Sequence, residues 1–243
     1  MTSLPGVLAD QTILVLGGTS GLGLATAQTA HAQGATVVIT GRDASKAEQA
    51  CSTIGERATW AAFDAADADA FAAFAQHAAP FDHVVSFTGA QPVAPVGQAG
   101  RDMFHQSFDA RVWAARNACA IIGPRMPATG SFVFCSGLSA IRPRAGRSAG
   151  AVATAALESF CRAMAVELAP QRVNAICPGP FDTQVLRRAF GADSDAQIER
   201  IGRDVPLGRI GRPDEIGHAI VFLLTNTFTT GITLRVDGGA LLV

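Results

Sequence analysis

The chain has 243 residues, of which 49% are apolar and 16% are charged, and its formal net charge is −1. This composition is typical of a compact globular protein, and a net charge near zero gives no reason to expect nucleic acid or a membrane as a partner. Tyrosine is absent, and Lys46 is the one lysine among 19 basic residues. Mechanisms that need a tyrosine phenol or a second lysine amine are therefore excluded.

The elements predicted along the chain alternate between short β-branched runs and longer alanine-rich stretches, as in a parallel sheet that is covered by helices. We predict strands at Thr12–Leu16, Thr36–Thr40, Ala58–Ala62, His83–Phe87, Ser131–Cys135, Arg172–Ile176 and Thr233–Val236. We predict helices at Leu22–Gln33, Ala44–Ile54, Ala68–Ala78, Arg101–Ile122, Gly150–Leu168 and Pro213–Leu224. The pattern favours one α/β domain. Its least regular part, Pro178–Arg212, follows the sixth strand, where long connections of a parallel sheet bind ligands.

Cysteine and histidine spacing gives no sign of a metal site. The five cysteines are widely spaced and include no Cys-x-x-Cys pair, which favours reduced thiols in the core, and the five histidines include no i,i+4 pair. The N-terminus lacks a basic flank and a hydrophobic signal core, and the apolar stretch Ala219–Leu224 is far too short to cross a membrane. We therefore expect a cytoplasmic protein.

A glycine-rich turn follows the first predicted strand and opens a helix. Gly17, Gly21 and Gly23 allow a tight turn and a close approach of the backbone to a pyrophosphate, and the helix directs its N–H groups at the anion. The alternative is a turn that needs glycine for backbone reasons only. The position between the first strand and a helix favours a dinucleotide site. The same turn contributes three further candidate cofactor contacts, Thr19, Ser20 and Leu22.

The end of the second predicted strand bears on the choice of cofactor. An enzyme that selects NAD usually has Asp or Glu here to bind the ribose hydroxyls. This chain has Gly41 followed by Arg42, whose guanidinium can pair with a 2′-phosphate. Asp43 comes one residue later and is expected to cap the next helix. The sequence therefore predicts NADP(H) rather than NAD(H).

Further motifs follow in the order of a known family. They are Asp64, Gly89 at the end of Ser86-Phe87-Thr88-Gly89, the group Pro178, Gly179, Phe181 and Thr183, then Gly211-Arg212-Pro213-Asp214-Glu215 and Val236-Asp237-Gly238-Gly239. With the glycine turn, they resemble the short-chain dehydrogenase/reductase family over nearly the whole chain. The resemblance implies a Rossmann-type, doubly wound, seven-stranded parallel sheet. It also implies that Asp64 contacts the adenine, that the segment from Pro178 passes the nicotinamide, and that the protein is a homodimer or homotetramer.

The chain departs from the family in its catalytic residues, which are Asn, Ser, Tyr and Lys. The serine matches Ser136. The tyrosine and lysine positions fall at Gly150 and Thr154, or at Ala149 and Ala153 in a register shifted by one residue. Neither register supplies an acid or a cation, and a serine hydroxyl is too weakly acidic to replace the phenol without help.

The family's asparagine position is occupied by Arg111. We hypothesise that this arginine substitutes for the missing lysine, by holding ribose hydroxyls or by polarising a substrate oxygen. The alternative is a solvated arginine on a helix surface.

Three functions are compatible with these residues. The first is an NADP(H)-dependent oxidoreductase acting on a small carbonyl or alcohol substrate, in which Ser136 orients the oxygen and Arg111 stabilises negative charge. The second is a catalytically silent NADP(H)-binding protein or partner subunit, and the third is a non-redox enzyme that uses the same cleft. The fold alone does not decide among them.

Overall fold

Seven parallel strands form one sheet in the order β3-β2-β1-β4-β5-β6-β7 in the computed structural model, which describes residues 6–89 and 92–243. The strands are β1 Thr12–Leu16, β2 Thr36–Gly41, β3 Ala58–Ala62, β4 His83–Ser86, β5 Ser131–Cys135, β6 Arg172–Pro178 and β7 Thr233–Val236. The order reverses at β1, where Leu14 lies between Val38 of β2 and Val84 of β4. The predicted doubly wound sheet is therefore confirmed.

Helices connect the strands. They are α1 Gly21–Ala32, α2 Ala44–Ser52, α3 Ala68–His77, α4 Arg101–Phe108, α5 Ala114–Asn117, α6 Ser148–Glu167, α7 Gln184–Phe190, α8 Ser194–Arg203 and α9 Pro213–Thr225. Six of the helical regions lie close to their predicted bounds. Helices α7 and α8 were not predicted, because both are short and lie in the segment whose hydrophobic pattern is least regular.

The helical region after β4 runs without a break from Arg101 to Ile122, as predicted. Its turns at Asp109–Trp113 and Ala118–Ile122 are π-helical, so each of these turns holds more residues than an α-turn. Asn117 fixes the region to the loop after β3, because its side-chain amide donates to the carbonyl oxygens of Ala65 and Ala66 at 3.1 and 3.0 Å.

Two hydrophobic clusters cover the two faces of the sheet. Alternate residues of β5 point to opposite faces, so Phe132 and Phe134 pack with Leu157 of α6, while Val133 packs with Ile216 of α9. All five side chains are buried. This alternation is what holds helices on both faces and leaves the carboxyl edge of the sheet open for a site.

Helix α6 is long and apolar enough to cross a membrane by length and composition, and it is the one such helix in the part of the chain that the structure describes. In this fold, its residues Leu157 and Cys161 are buried against the sheet. Core helices of soluble proteins pass the same length and composition test, so this feature is weak evidence for a membrane.

Candidate active site

The glycine-rich turn after β1 is too tight for side chains at two of its positions. Gly17 has a φ of +74°, and a Cβ there would lie 3.0 Å from the backbone of Phe87. A Cβ on Gly23 would lie 2.2 Å from the carbonyl oxygen of Gly17, which no rotamer can relieve. Gly21 also has a positive φ, of 54°. The turn therefore depends on glycine in the way the sequence predicts.

The first turn of α1 has the form of an anion site. Ser20 is the N-cap residue in an extended conformation, and its side chain makes no capping hydrogen bond within the helix. The first N–H groups of a helix have no carbonyl partner inside the helix, and the helix dipole favours negative charge at this end. Thr19 precedes the cap, and Leu22 lies in the first turn. A pyrophosphate fits this arrangement of donors.

Gly41, at the end of β2, lies against the turn. A Cβ on Gly41 would lie 2.6 Å from Cγ2 of Thr19, so the Thr19 side chain fills the space that an Asp or Glu side chain would enter. Arg42 is exposed, and no ion pair found among residues 6–89 and 92–243 involves it. Asp43 caps α2 by accepting from the backbone N–H of Lys46 at 3.1 Å, which confirms its predicted role.

Asp64 follows β3 and has one carboxylate oxygen in use. Its Oδ1 accepts from the backbone N–H of Ala66 at 3.0 Å, in an exposed position. This hydrogen bond orients the carboxylate. The second carboxylate oxygen can accept a hydrogen bond from a ligand donor such as an amine.

Arg111 is 5% exposed, which rules out the alternative of a solvated helix arginine. It lies in the first π-helical turn, and a Cβ on Gly89 would lie 2.9 Å from its Cζ and Nη2 atoms. The guanidinium therefore packs on the backbone of Gly89, three residues after β4 ends. Burial lowers the pKa of Arg111, while the neighbouring Cys135 raises it. An arginine nevertheless keeps its charge in proteins, so a buried cation lies at this edge of the sheet.

Ser136 follows β5 directly, and its backbone N–H donates to the carbonyl oxygen of Ile176 at 2.8 Å. Its hydroxyl donates to Oε1 of Glu158 on α6 at 2.6 Å, and the residue is 3% exposed. Sequence reasoning missed Glu158. The available signal was its position one helical turn after Thr154, which places both residues on the same face of α6. Because the Ser136 proton is held by Glu158, the same proton cannot also orient a substrate oxygen.

The positions that match the family's tyrosine and lysine are filled by small, buried side chains. Thr154 is fully buried, and its hydroxyl donates to the carbonyl oxygen of Gly150 at 2.9 Å and lies 3.4 Å from Oγ of Ser139. Ala149 and Ala153 are also buried. In either register, these side chains supply no proton donor of phenol strength.

The segment after β6 holds the remaining candidate cofactor residues. Thr183 caps α7 by accepting from the backbone N–H of Leu186 at 3.1 Å, so its hydroxyl proton remains available to donate. Phe181 is 6% exposed and forms an isolated β-bridge with Gly211, so its ring is a packing group. Pro178 ends β6. A Cβ on Gly179 would lie 2.5 Å from Cα of Asp237, which requires glycine there.

Known proteins resemble this chain over nearly its whole length. The family model described as enoyl-(acyl carrier protein) reductase matches residues 17–240. The cis-4-hydroxycyclohexanecarboxylate dehydrogenase of Sinomonas cyclohexanicum is 31% identical over 95% of this chain and 96% of its own length. The 3-oxoacyl-(acyl-carrier-protein) reductase FabG of Chlamydia trachomatis is 28% identical over 97% of this chain and 99% of its own length.

Solved structures extend the comparison. A short chain dehydrogenase/reductase family protein superposes with a TM-score of 0.87 at 36% identity, covering 97% of this chain and 99% of that one. The L-sorbose reductase of Gluconobacter frateurii, solved with NADPH and L-sorbose, shares the fold with a TM-score of 0.89 at 24% identity, covering 98% of this chain and 99% of that one. The chain therefore belongs to the short-chain dehydrogenase/reductase family, whose members are oxidoreductases that bind a nicotinamide cofactor.

Proposed function

We propose that the protein is an NADP(H)-dependent oxidoreductase that interconverts a small alcohol and a carbonyl compound. The observation that carries the cofactor choice is the exposed Arg42 beside Gly41, where Thr19 fills the space that an acidic side chain would need. A guanidinium at this position can pair with a 2′-phosphate through charge-assisted hydrogen bonds. The relatives named above are a dehydrogenase and a reductase, which supports the reaction class.

The cofactor choice is tested with Arg42→Ala. We expect the affinity for NADPH to fall about 10-fold to 100-fold, because hydrogen bonds to charged groups contribute about 1.5–3 kcal/mol. The affinity for NADH is the internal control and should change less than about 2-fold, because NADH has no 2′-phosphate. Fluorescence titration of both cofactors measures this. Equal affinity for NADPH and NADH, unchanged by the substitution, would contradict the proposal.

The buried Arg111 is the residue that we assign to the reactive end of the cleft. A bound nicotinamide cofactor supplies or takes up hydride there. Arg111 lies against Gly89 in the segment after β4, where it can hold ribose hydroxyls or stabilise negative charge on a substrate oxygen. Its low exposure keeps water away from the charge and strengthens its interactions. It does not donate a proton near neutral pH.

The second candidate function is a catalytically silent NADP(H)-binding protein or partner subunit. Gly150 and Thr154 favour it, because neither replaces the phenol or the ammonium of the family's mechanism. The two functions are separated by following deuteride from labelled NADPH into a broad panel of carbonyl compounds. Stereospecific transfer to any member supports the oxidoreductase. Tight NADPH binding without transfer to any member supports the silent protein.

We also propose that the chain assembles as a homodimer or homotetramer. A groove of about 270 Å³ lies between α4 with its π-helical turn and the start of α6, and its lining includes Phe104, Phe108, Trp113 and Val152. Trp113 and Val152 are 48% and 53% exposed, and together they form part of an exposed apolar patch, which is typical of an interaction surface. Sedimentation velocity tests this, and a monomer at all concentrations would contradict it.

A further inference from the structure

We propose that Glu158 is the proton acceptor of this site and acts through the hydroxyl of Ser136, so that the pair accepts the proton of an alcohol substrate. This inference rests on the proposed oxidoreductase function. It assigns the proton transfer, for which this chain has no tyrosine, to two of its other residues. Because the pair accepts a proton, the site as observed favours alcohol oxidation over carbonyl reduction.

The hydrogen bond between the two residues carries the inference. The Ser136 Oγ to Glu158 Oε1 distance of 2.6 Å lies in the range of charge-assisted O–H···O⁻ bonds. A hydroxyl has one proton and two lone pairs. With its proton directed at Glu158, Ser136 can only accept from a third group. The ligand that fits is therefore an O–H donor, which is an alcohol rather than a carbonyl compound.

The neighbouring groups do not offer another base. Burial raises the pKa of Cys135 to about 12, with Arg111 opposing the shift, and burial together with Glu158 raises the pKa of Cys177 to about 12. Both thiols therefore stay protonated at neutral pH. Thr154 directs its proton to the carbonyl oxygen of Gly150. Among the described groups around Ser136, the Glu158 carboxylate is the one that hydrogen bonds to its hydroxyl.

The proposed step balances as follows. The O–H bond of the alcohol breaks, and its proton goes to Ser136 Oγ. At the same time the Ser136 O–H bond breaks, and its proton goes to Glu158 Oε1. The C–H bond of the carbinol carbon would break, and its hydrogen and electron pair would leave as hydride for an oxidised nicotinamide cofactor, so that the substrate becomes a carbonyl compound. Glu158 then releases its proton to solvent, which it can reach because its side chain is only half-buried.

The groups that face Glu158 come from three elements. On α6, Cys161 interacts with it electrostatically, and Arg162 follows at the i+4 position. On β6, Cys177 does the same. Ser136, after β5, supplies the hydrogen bond. Burial raises the pKa of Cys161 and of Cys177 to about 12, so both thiols are protonated at neutral pH. The charged groups that interact with the same thiols are Arg162 on α6 and, from a further element, Arg235 of β7 with Asp237 directly after it.

The sign of the pH dependence follows from the step. Alcohol oxidation needs Glu158 as a carboxylate, so its kcat/KM falls as the pH falls and the carboxylate is protonated. Carbonyl reduction needs the protonated form, so its kcat/KM rises over the same pH range. Because the overall oxidation releases one proton, the two directions differ in pH dependence whichever group is the base, so the diagnostic result is the loss of the acidic limb when Glu158 is replaced.

The decisive variant is Glu158→Gln, whose amide oxygen still accepts from Ser136 but whose side chain cannot take a proton. We expect kcat for alcohol oxidation to fall about 10²-fold to 10⁴-fold, and the acidic limb of the profile to disappear. Ser136→Ala should have a similar effect, and the double variant should be no worse than either single one. Glu167→Gln, an exposed change on the same helix, is the matched control and should leave kcat and the profile unchanged. The dissociation constant of NADPH should stay within about 2-fold in every variant.

Two outcomes separate the inference from the function on which it rests. If the parent chain transfers hydride and Glu158→Gln keeps its kcat and its pH profile, the proton acceptor is wrong and the oxidoreductase stands. If the parent binds NADPH but transfers deuteride to no member of the panel, the proposed function fails and the inference fails with it. Should Glu158→Gln not fold, Ser136→Ala still decides, because a Ser136→Ala chain that keeps its kcat for alcohol oxidation and the acidic limb of its pH profile would overturn the proposal.

A measurement on the cofactor-free protein tests the hydrogen bond itself. A hydroxyl proton held by a carboxylate at 2.6 Å is expected at low field in the proton NMR spectrum. The resonance should be lost in Ser136→Ala and move upfield in Glu158→Gln, because a neutral acceptor forms a weaker bond. A spectrum with no such resonance in the parent chain would count against the proposal.

Discussion

The two halves of the carboxyl edge of the sheet are built from different parts. At the ends of β1 and β2, the site consists largely of backbone, with glycines in a tight turn and the N-terminus of α1. At the ends of β4 and β5, it consists of side chains, namely Arg111, Ser136 and Glu158. Backbone donors are present whatever the sequence, once glycine permits the turn. Reactive side chains are lost by single substitutions. Cofactor binding can therefore persist where the chemistry has changed.

The largest effect on cofactor affinity is expected from Gly23→Ala, in the half of the site that is built from backbone at the ends of β1 and β2. The new Cβ would meet the carbonyl oxygen of Gly17 at 2.2 Å, so the turn must open and its N–H groups no longer converge on one anion. We expect the affinity for NADPH to fall about 1,000-fold, or about 4 kcal/mol. Gly97→Ala is the control, because a Cβ there meets no atom within 4 Å. If fluorescence titration shows the same NADPH affinity for Gly23→Ala as for the parent, the glycine turn does not bind the cofactor.

A third region lies at the amino edge of the sheet, around His83, and we expect it to contribute to stability but not to cofactor binding. His83 is 4% exposed, its Nε2 lies 3.0 Å from Oε1 of Gln11, and its Nδ1 lies 2.8 Å from Oγ of Ser131. Burial lowers the pKa of His83 from 6.5 to about 4, with Asp82 opposing this shift and Arg172 adding to it. The unfolded chain therefore takes up a proton before the folded one as the pH falls.

The free energy of unfolding should accordingly fall between pH 6.5 and about 4, by up to about 3 kcal/mol. Urea unfolding at a series of pH values measures this loss. His83→Gln should flatten the dependence in this window, while His218→Gln, an exposed change on α9, should not. The affinity of either folded variant for NADPH should match that of the parent. A changed NADPH affinity would mean that residues at the amino edge of the sheet also influence cofactor binding.

The sequence predicted the sheet because each strand is a short apolar run with a breaker on either side, so that Ser131–Cys135 was predicted at the bounds that the structure has. It also predicted the Asp43 cap, since capping depends on residues close in sequence. Helices α7 and α8 were missed, because Gln184–Phe190 is too short for a helical period to stand out from the surrounding loop.

The half of the site at the ends of β4 and β5, here called the reactive half, was harder to predict, because its contacts join residues far apart in the chain. Ser136 and Glu158 meet because β5 and α6 pack together, and no local pattern links the two positions. The burial of Arg111 depends on the π-helical turn and on its packing against Gly89, and the sequence predicts neither the turn nor this contact between distant positions. Sequence reasoning could therefore name Arg111 and Ser136 but could not decide between a solvated and a buried arginine.

The smallest of these effects, and the one that bears most directly on the reactive half, is expected from Arg111→Ala. If the guanidinium holds ribose hydroxyls, the affinity for NADPH should fall about 10-fold to 100-fold, the range expected for charge-assisted hydrogen bonds. Arg111→Lys should recover part of the loss, because it keeps the charge without the planar fork of donors. Arg101→Ala, an exposed change on α4, is the control. Unchanged NADPH affinity and turnover in Arg111→Ala would show that this cation serves packing on Gly89 alone, and that the reactive half depends on Ser136 and Glu158.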